Sequence, residues 1–314
     1  MNLAIISDTL ASTIRMATPL LLMALGGLLC QRAGVFNIAL EGFSLIGAFA
    51  AVAVVQFTGG SVWMGLLGAA VIGIMYSALY ALFVTKFKAN NIIASIAMNT
   101  LAAGVTSYLL RAMFDVQGAY SPDEIHKLNM IRIPILEEIP ILNALSGQSI
   151  ITYLAILMVV IIYILLFRTK AGLNICAVGE SEEAARTAGV RPAFVKCQVV
   201  LASGALCGLA GAYLSIISVS QFSEDMIQGR GFNAFTAFVF GNAHPIATAL
   251  VSLLFGFADA IGIRIELLGL NIPPSIIKMF PYVLAIVALA ISSYTMKLKV
   301  KGVIGQKKMK ERVE

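Results

Sequence analysis

Of the 314 residues, 59% are hydrophobic and 12% charged, the latter about half the share usual in a soluble domain. That balance excludes an ordinary water-soluble globule. The net charge of +6 needs no nucleic acid, because basic loops facing anionic lipid account for it.

Stretches of roughly 20 apolar residues recur, each long enough to cross about 30 Å of hydrocarbon. They do not alternate with period two, so they read as helices and not as strands of a membrane barrel. The first predicted span covers about 10–31. Asp8 and Arg15 interrupt the leader pattern of basic, apolar and small residues, so no cleaved signal peptide is expected. Spans follow at about 34–56, 61–85, 91–114, 149–167 and 197–219. Beyond them, 231–252 and 246–264 overlap around Gly241-Asn242-Ala243-His244-Pro245, where Gly and Pro predict a broken helix, and 276–296 is the last span. The expectation is an all-α polytopic membrane helix bundle of about eight or nine crossings. It forms one integral membrane domain over 1–314, with a cytoplasmic loop at 179–190 and a basic tail at 297–314.

Charge gives the orientation. Lys86 and Lys88, the segment Arg168 to Lys196, and the tail from Lys297 to Arg312 hold 14 of the 22 basic residues. The positive-inside rule places all three, and so the C-terminus, on the cytoplasmic side. The acidic connection 115–148, with Asp115, Asp123, Glu124, Glu137 and Glu138, fits the outer side.

Polar side chains within hydrocarbon are costly, so they are candidates for function. Asn37, Glu41, Ser44 and Ala48 fall at i, i+4, i+7 and i+11 and make one stripe on the second span; Asn91, Ser95, Asn99 and Thr106 make another on the fourth. Both stripes suit a path for a polar solute, and equally suit hydrogen bonds between helices. Glu41 must face water, be protonated or pair with a cation, and Arg15 and Arg32 are the candidate partners. Gly204-x3-Gly208 is a small-xxx-small pattern for close helix packing.

The chain carries no phosphate-binding loop, GxSxG or HExxH motif, and no catalytic residues are expected. His126 and His244 and the unpaired Cys30, Cys176, Cys197 and Cys207 predict neither metal nor cofactor. Energy from a nucleotide would therefore have to come from a separate subunit. The charged, helix-prone island Gly179 to Gly189, between two apolar spans, is where such a subunit could push.

Within that island, Glu183-Ala184-Ala185-x3-Gly189 resembles the EAA-x3-G core of the coupling loop in bacterial ABC importer permeases. Pro19 to Ala48, Arg168 to Gly189 and Gly229 to Ala260 resemble the branch of that family serving nucleosides and simple sugars, so the likeness spans almost the whole chain. The resemblance implies two permeases and two ATPases fed by an extracytoplasmic binding protein. It implies that Glu182, Glu183, Ala184, Ala185 and Arg186 meet the ATPase and that Gly189 ends the helix in a left-handed turn. Asn37, Glu41, Ser44, Asn99 and Asn233 are the candidate path residues. Asn233-Ala234 departs from the family pattern, where larger aliphatics are common, and bears on substrate fit. Nucleosides are expected ahead of ribose-like sugars, branched-chain amino acids come third, and a related second permease is expected ahead of a homodimer. The competing reading is an ion-coupled secondary transporter with Glu41 or Asp259 as coupling carboxylates.

Overall fold

The computed structural model describes residues 2–126, 142–267, 279 and 283. The chain divides into two compact units, Met1–Ala260 and Ile261–Glu314. The expected span at 276–296 and the tail at 297–314 lie outside the described residues, apart from Met279 and Val283.

In the first unit, α1 runs Asn2–Arg32, α2 Leu40–Phe57, α3 Val62–Thr85 and α4 Asn91–Phe114. A two-residue strand β1 (Ala119–Tyr120) and a 3-10 turn at Leu142–Leu145 precede α5 (Ile150–Arg168). Two short helices, α6 (Lys170–Glu180) and α7 (Glu182–Thr187), lead to α8 (Pro192–Ala212), which a π-helical turn at Tyr213–Ser218 extends. Strand β2 (Phe222–Ser223) pairs antiparallel with β1. The short α9 (Arg230–Phe240) follows, then α10 (Pro245–Leu267), whose last residues belong to the second unit. Among the described residues seven helices are long and apolar enough to cross a membrane: α1 to α5, α8 with its π turn, and α10.

Burial sorts these spans into layers. In their most apolar windows, α1, α2 and α8 are 83%, 78% and 72% buried, whereas α3, α4 and α5 are each 28% buried. The outer helices expose Met75, Ile93, Tyr108 and Leu157, apolar surface that lipid would cover and water would not. Helices pack in lipid through small residues, because hydrocarbon gives no hydrophobic reason to associate. Accordingly, α8 packs on α1, α2 and α3 through glycine. A Cβ at Gly204 would lie 2.5 Å from the Gly73 carbonyl of α3, and one at Gly211 would lie 2.7 Å from the Ala48 amide of α2.

The predicted broken helix is two helices with a tight turn between them. Asn242 and Ala243 both take left-handed backbone, with φ of 50° and 47°, which non-glycine residues rarely adopt. The turn ends at Pro245, which serves as the first residue of α10. The segment before α9 descends alongside α2. Phe222 stacks edge-on against Phe49 at 5.4 Å, whereas Gly231 reaches Glu41, about 12 Å further along α2 at 1.5 Å per residue. At the far end His244 lies 5.3 Å from Phe167, near the end of α5. Residues 219–244 therefore traverse the bundle as an interrupted crossing, half turns and half helix. Such irregular backbone at this depth is viable where protein buries it.

Candidate functional site

Helix α7 is short, and its ends are closed by its own residues. Ser181 is extended at the N-cap, and its hydroxyl accepts the Ala184 amide at 3.3 Å, satisfying one of the four orphan donors of a helix start. At the other end Gly189 has φ of +84°. The Gly189 amide donates to the Arg186 carbonyl and the Val190 amide to the Ala185 carbonyl, both at 3.0 Å, the paired bonds of a Schellman turn. The sequence expectation of a left-handed stop at Gly189 thus matches the observed backbone.

Only Ala185 of this helix is buried, at 3% exposure; Glu182, Glu183, Ala184 and Arg186 are exposed. Glu182 is ion-paired with Lys196 of α8, leaving Glu183 and Arg186 as the outward charges. A cleft of about 810 Å³ opens beside this loop, lined by Leu29, Leu165, Asn174, Gly189, Arg191 and Gln198 among others. Behind it, the end of α6 meets the α1–α2 corner backbone to backbone. A Cβ at Gly179 would lie 3.1 Å from the Gly34 amide and closer still to the Arg32 carbonyl.

The polar stripes of the second and fourth spans converge on the start of α2. This helix begins at Leu40 after Ala39, which has no side chain to cap it. Neighbouring groups supply what Ala39 lacks: the Asn37 Oδ1 accepts the Ala39 amide at 2.8 Å, and the Asn99 Oδ1 accepts the Gly42 amide at 2.8 Å. Ser95 accepts the Ile38 amide at 3.1 Å, and the Asn99 amide group donates to the Ile38 carbonyl at 3.2 Å. Asn37 and Ser44 are 1% and 0% exposed, packed between helices, and in this conformation present no surface to a solute. Asn99 and Asn233 are half-buried.

Glu41 is partnered by neither Arg15 nor Arg32. Its Oε1 accepts the Gly229 amide at 2.7 Å and its Oε2 the Gly231 amide at 2.8 Å, so the carboxylate sits across the N-terminus of α9. Helix N-termini carry orphan N–H groups and partial positive charge, which makes them good partners for an anion. Arg230 lies in electrostatic reach of both Glu41 and Asp259. Arg32 donates its Nε to the Ala243 carbonyl at 2.7 Å and lies 5.7 Å above the Phe167 ring. Arg230 and, except as a candidate partner of Glu41, Arg32 are not singled out in the sequence, nor is Lys196 beyond its place among the basic residues. The signal that could have found the first two was the Gly229-Arg230-Gly231 and Gly241 to Pro245 breaks, since a broken helix needs partners at both loose ends. Among the described residues no cluster of His, Cys, Asp or Glu could hold a metal ion.

An outer layer of helices with exposed apolar faces, an inner glycine-packed core, an interrupted crossing and a capped, exposed loop helix describe a polytopic helical membrane subunit. Residues 9–289 match the family described as branched-chain amino acid transport system / permease component, and the chain belongs to that family. It is 35% identical to the guanosine ABC transporter permease NupQ of Bacillus subtilis, over 91% of this chain and 92% of that protein. To the nucleoside ABC transporter permease NupC of Lactococcus lactis it is 32% identical, over 88% and 89%. The glucose ABC transporter permease TsgB13 of Haloferax volcanii is 28% identical, over 84% and 71%. The chain is thus a multi-pass membrane protein and an ABC permease subunit, and an ion-coupled secondary transporter is not favoured. The family implies an ATPase partner and a substrate-binding protein.

Proposed function

We propose that this chain forms the membrane path of a nucleoside importer, with guanosine-type nucleosides as cargo, energised by a separate ATPase. The single observation that carries this reading is the near full-length likeness to permeases named for guanosine and nucleosides, joined to the capped, outward-facing α7. In this reading α7 inserts into the ATPase, with Glu183 and Arg186 in contact and Ala184 and Ala185 keeping the helix face narrow. Glu182 braces it from behind through Lys196. The loop over 179–190, the Lys86 and Lys88 loop and the basic tail over 297–314 face the cytoplasm of a bacterial cell, with the β1–β2 hairpin outside. The domain is a single permease unit over 1–314 that pairs with a second, related permease. Cargo arrives from an extracytoplasmic binding protein and passes beside Glu41, Asn99 and Asn233, with Asn37 and Ser44 in the packing behind. Neutral nucleosides suit this path, since it offers no concentrated positive charge for phosphate.

The likeness to a glucose permease supports one second reading, in which a sugar is the cargo. Competition separates the two. In cells expressing the chain with its ATPase and binding protein, labelled guanosine uptake is expected to resist excess glucose and ribose and yield to unlabelled inosine. Suppression by either sugar and indifference to inosine would make the cargo a sugar.

A further inference from the structure

We propose that Arg32 and Glu41, at the two sides of the α1–α2 corner, form a clasp that holds α9 by both ends and makes it move with the coupling loop. The half-helix packs along α1 and α2. At its start the Glu41 carboxylate takes the Gly229 and Gly231 amides. Just past its end, Arg32 takes the Ala243 carbonyl at 2.7 Å. An acid at the amide end and a cation at the carbonyl end both match the helix dipole. The fit leaves no slack, because a Cβ on Gly231 would lie 2.7 Å from the Glu41 Cα. The turn that Arg32 holds contains the two left-handed residues Asn242 and Ala243, a conformation that persists where surrounding contacts determine it.

The same corner is the part of the bundle that the coupling segment touches. Gly179, separated from the first residue of α7 by Glu180 and Ser181, meets Gly34 and Arg32 through backbone alone. A push on α7 therefore reaches the α1–α2 corner directly, and the clasp hands it to the interrupted crossing. Arg32 and Glu41 are positioning residues in this scheme. This rests on the ABC permease assignment but not on the identity of the cargo.

The test uses the whole importer in proteoliposomes, with guanosine as cargo. The Arg32→Gln variant is expected to deliver about tenfold less guanosine per ATP hydrolysed, the effect of losing a charged hydrogen bond, while the assembled complex still hydrolyses ATP. Arg32→Lys, which keeps the cation, recovers part of the loss. Gly231→Ala, which forces α9 off Glu41 without altering charge, reproduces it. Paired spin labels on α2 and α9 supply a readout that needs no cargo. In the wild type their separation stays fixed when ATP binds, and in Arg32→Gln it becomes variable. A wild-type separation that changes on ATP binding would overturn the clasp, as would Arg32→Gln and Gly231→Ala complexes that couple like wild type. Absence of guanosine transport by the wild type, with the label separation still fixed, would overturn the cargo alone.

Discussion

Lys196 of α8 is ion-paired with Glu182 of α7, so the first acidic residue of α7 faces its own bundle and Glu183 faces outward. The two neighbouring glutamates therefore differ in role. Glu182 is 48% exposed on its side chain, and exposed pairs contribute about 0–1 kcal/mol. Glu182→Gln is expected to leave ATPase co-purification intact and to change the melting temperature by a degree or two at most, on the order of that energy. Glu183→Lys is expected to abolish co-purification at unchanged stability. Equal behaviour of the two variants in the pull-down would contradict the asymmetry.

Asn99 reaches across from α4 to cap α2. Replacing it by Leu leaves the Gly42 amide and the Ile38 carbonyl without the partners they have now, a cost of about 1–3 kcal/mol for each orphaned buried group. The Asn99→Leu protein is expected to unfold at a lower temperature in detergent. Asn99→Asp, which keeps the acceptor, is expected to lose less. A melting temperature unchanged in Asn99→Leu would sink the capping role.

Gly211 meets α2 where a side chain has no room: its Cβ would lie 2.7 Å from the Ala48 amide and 2.9 Å from the Ser44 carbonyl carbon. Gly211→Val is expected to push α8 from α2 at about 1–3 kcal/mol. Gly104, whose Cβ would meet nothing within 4 Å, is the control, and Gly104→Val should melt close to wild type. The comparison is made by thermal denaturation of the purified protein.

Orientation is open to chemical labelling. In a background with Cys30, Cys176, Cys197 and Cys207 replaced, a cysteine at exposed Thr187 is expected to react with an impermeant maleimide only after the cells are opened. One at exposed Ala119 should react in intact cells. The reverse pattern would invert the topology.

The regular spans were legible in the sequence because a run of apolar residues about 20 long has one meaning in a membrane protein. The expected 61–85 and 91–114 match Val62–Thr85 and Asn91–Phe114 to within a residue. The sixth span was drawn too short at its start: α8 begins at Pro192, since Pro favours the first helical position and Lys196 can snorkel. The interrupted crossing was half legible. Gly241 and Pro245 marked the break, but Gln221 to Gln228 hold too few apolar residues to signal passage through the bundle interior. The polar stripes were legible as stripes, and spacing could not show that Asn37 and Asn99 reach backbone amides of α2. For Glu41 the sequence offers water, protonation or a cation such as Arg15 or Arg32, and the backbone amides of α9 are missing from that set because a helix N-terminus is not a residue type and leaves no letter in the sequence.

The central claim, a nucleoside path driven by a separate ATPase through α7, is tested most directly by labelled guanosine uptake in cells carrying this chain with its binding protein. Uptake is measured with and without the ATPase, and with Glu183→Lys. Uptake that requires the ATPase, falls to background in the variant and persists when an ionophore collapses the ion gradients at maintained ATP is the predicted result. Uptake by this chain without any ATPase, lost with the ionophore, would contradict it.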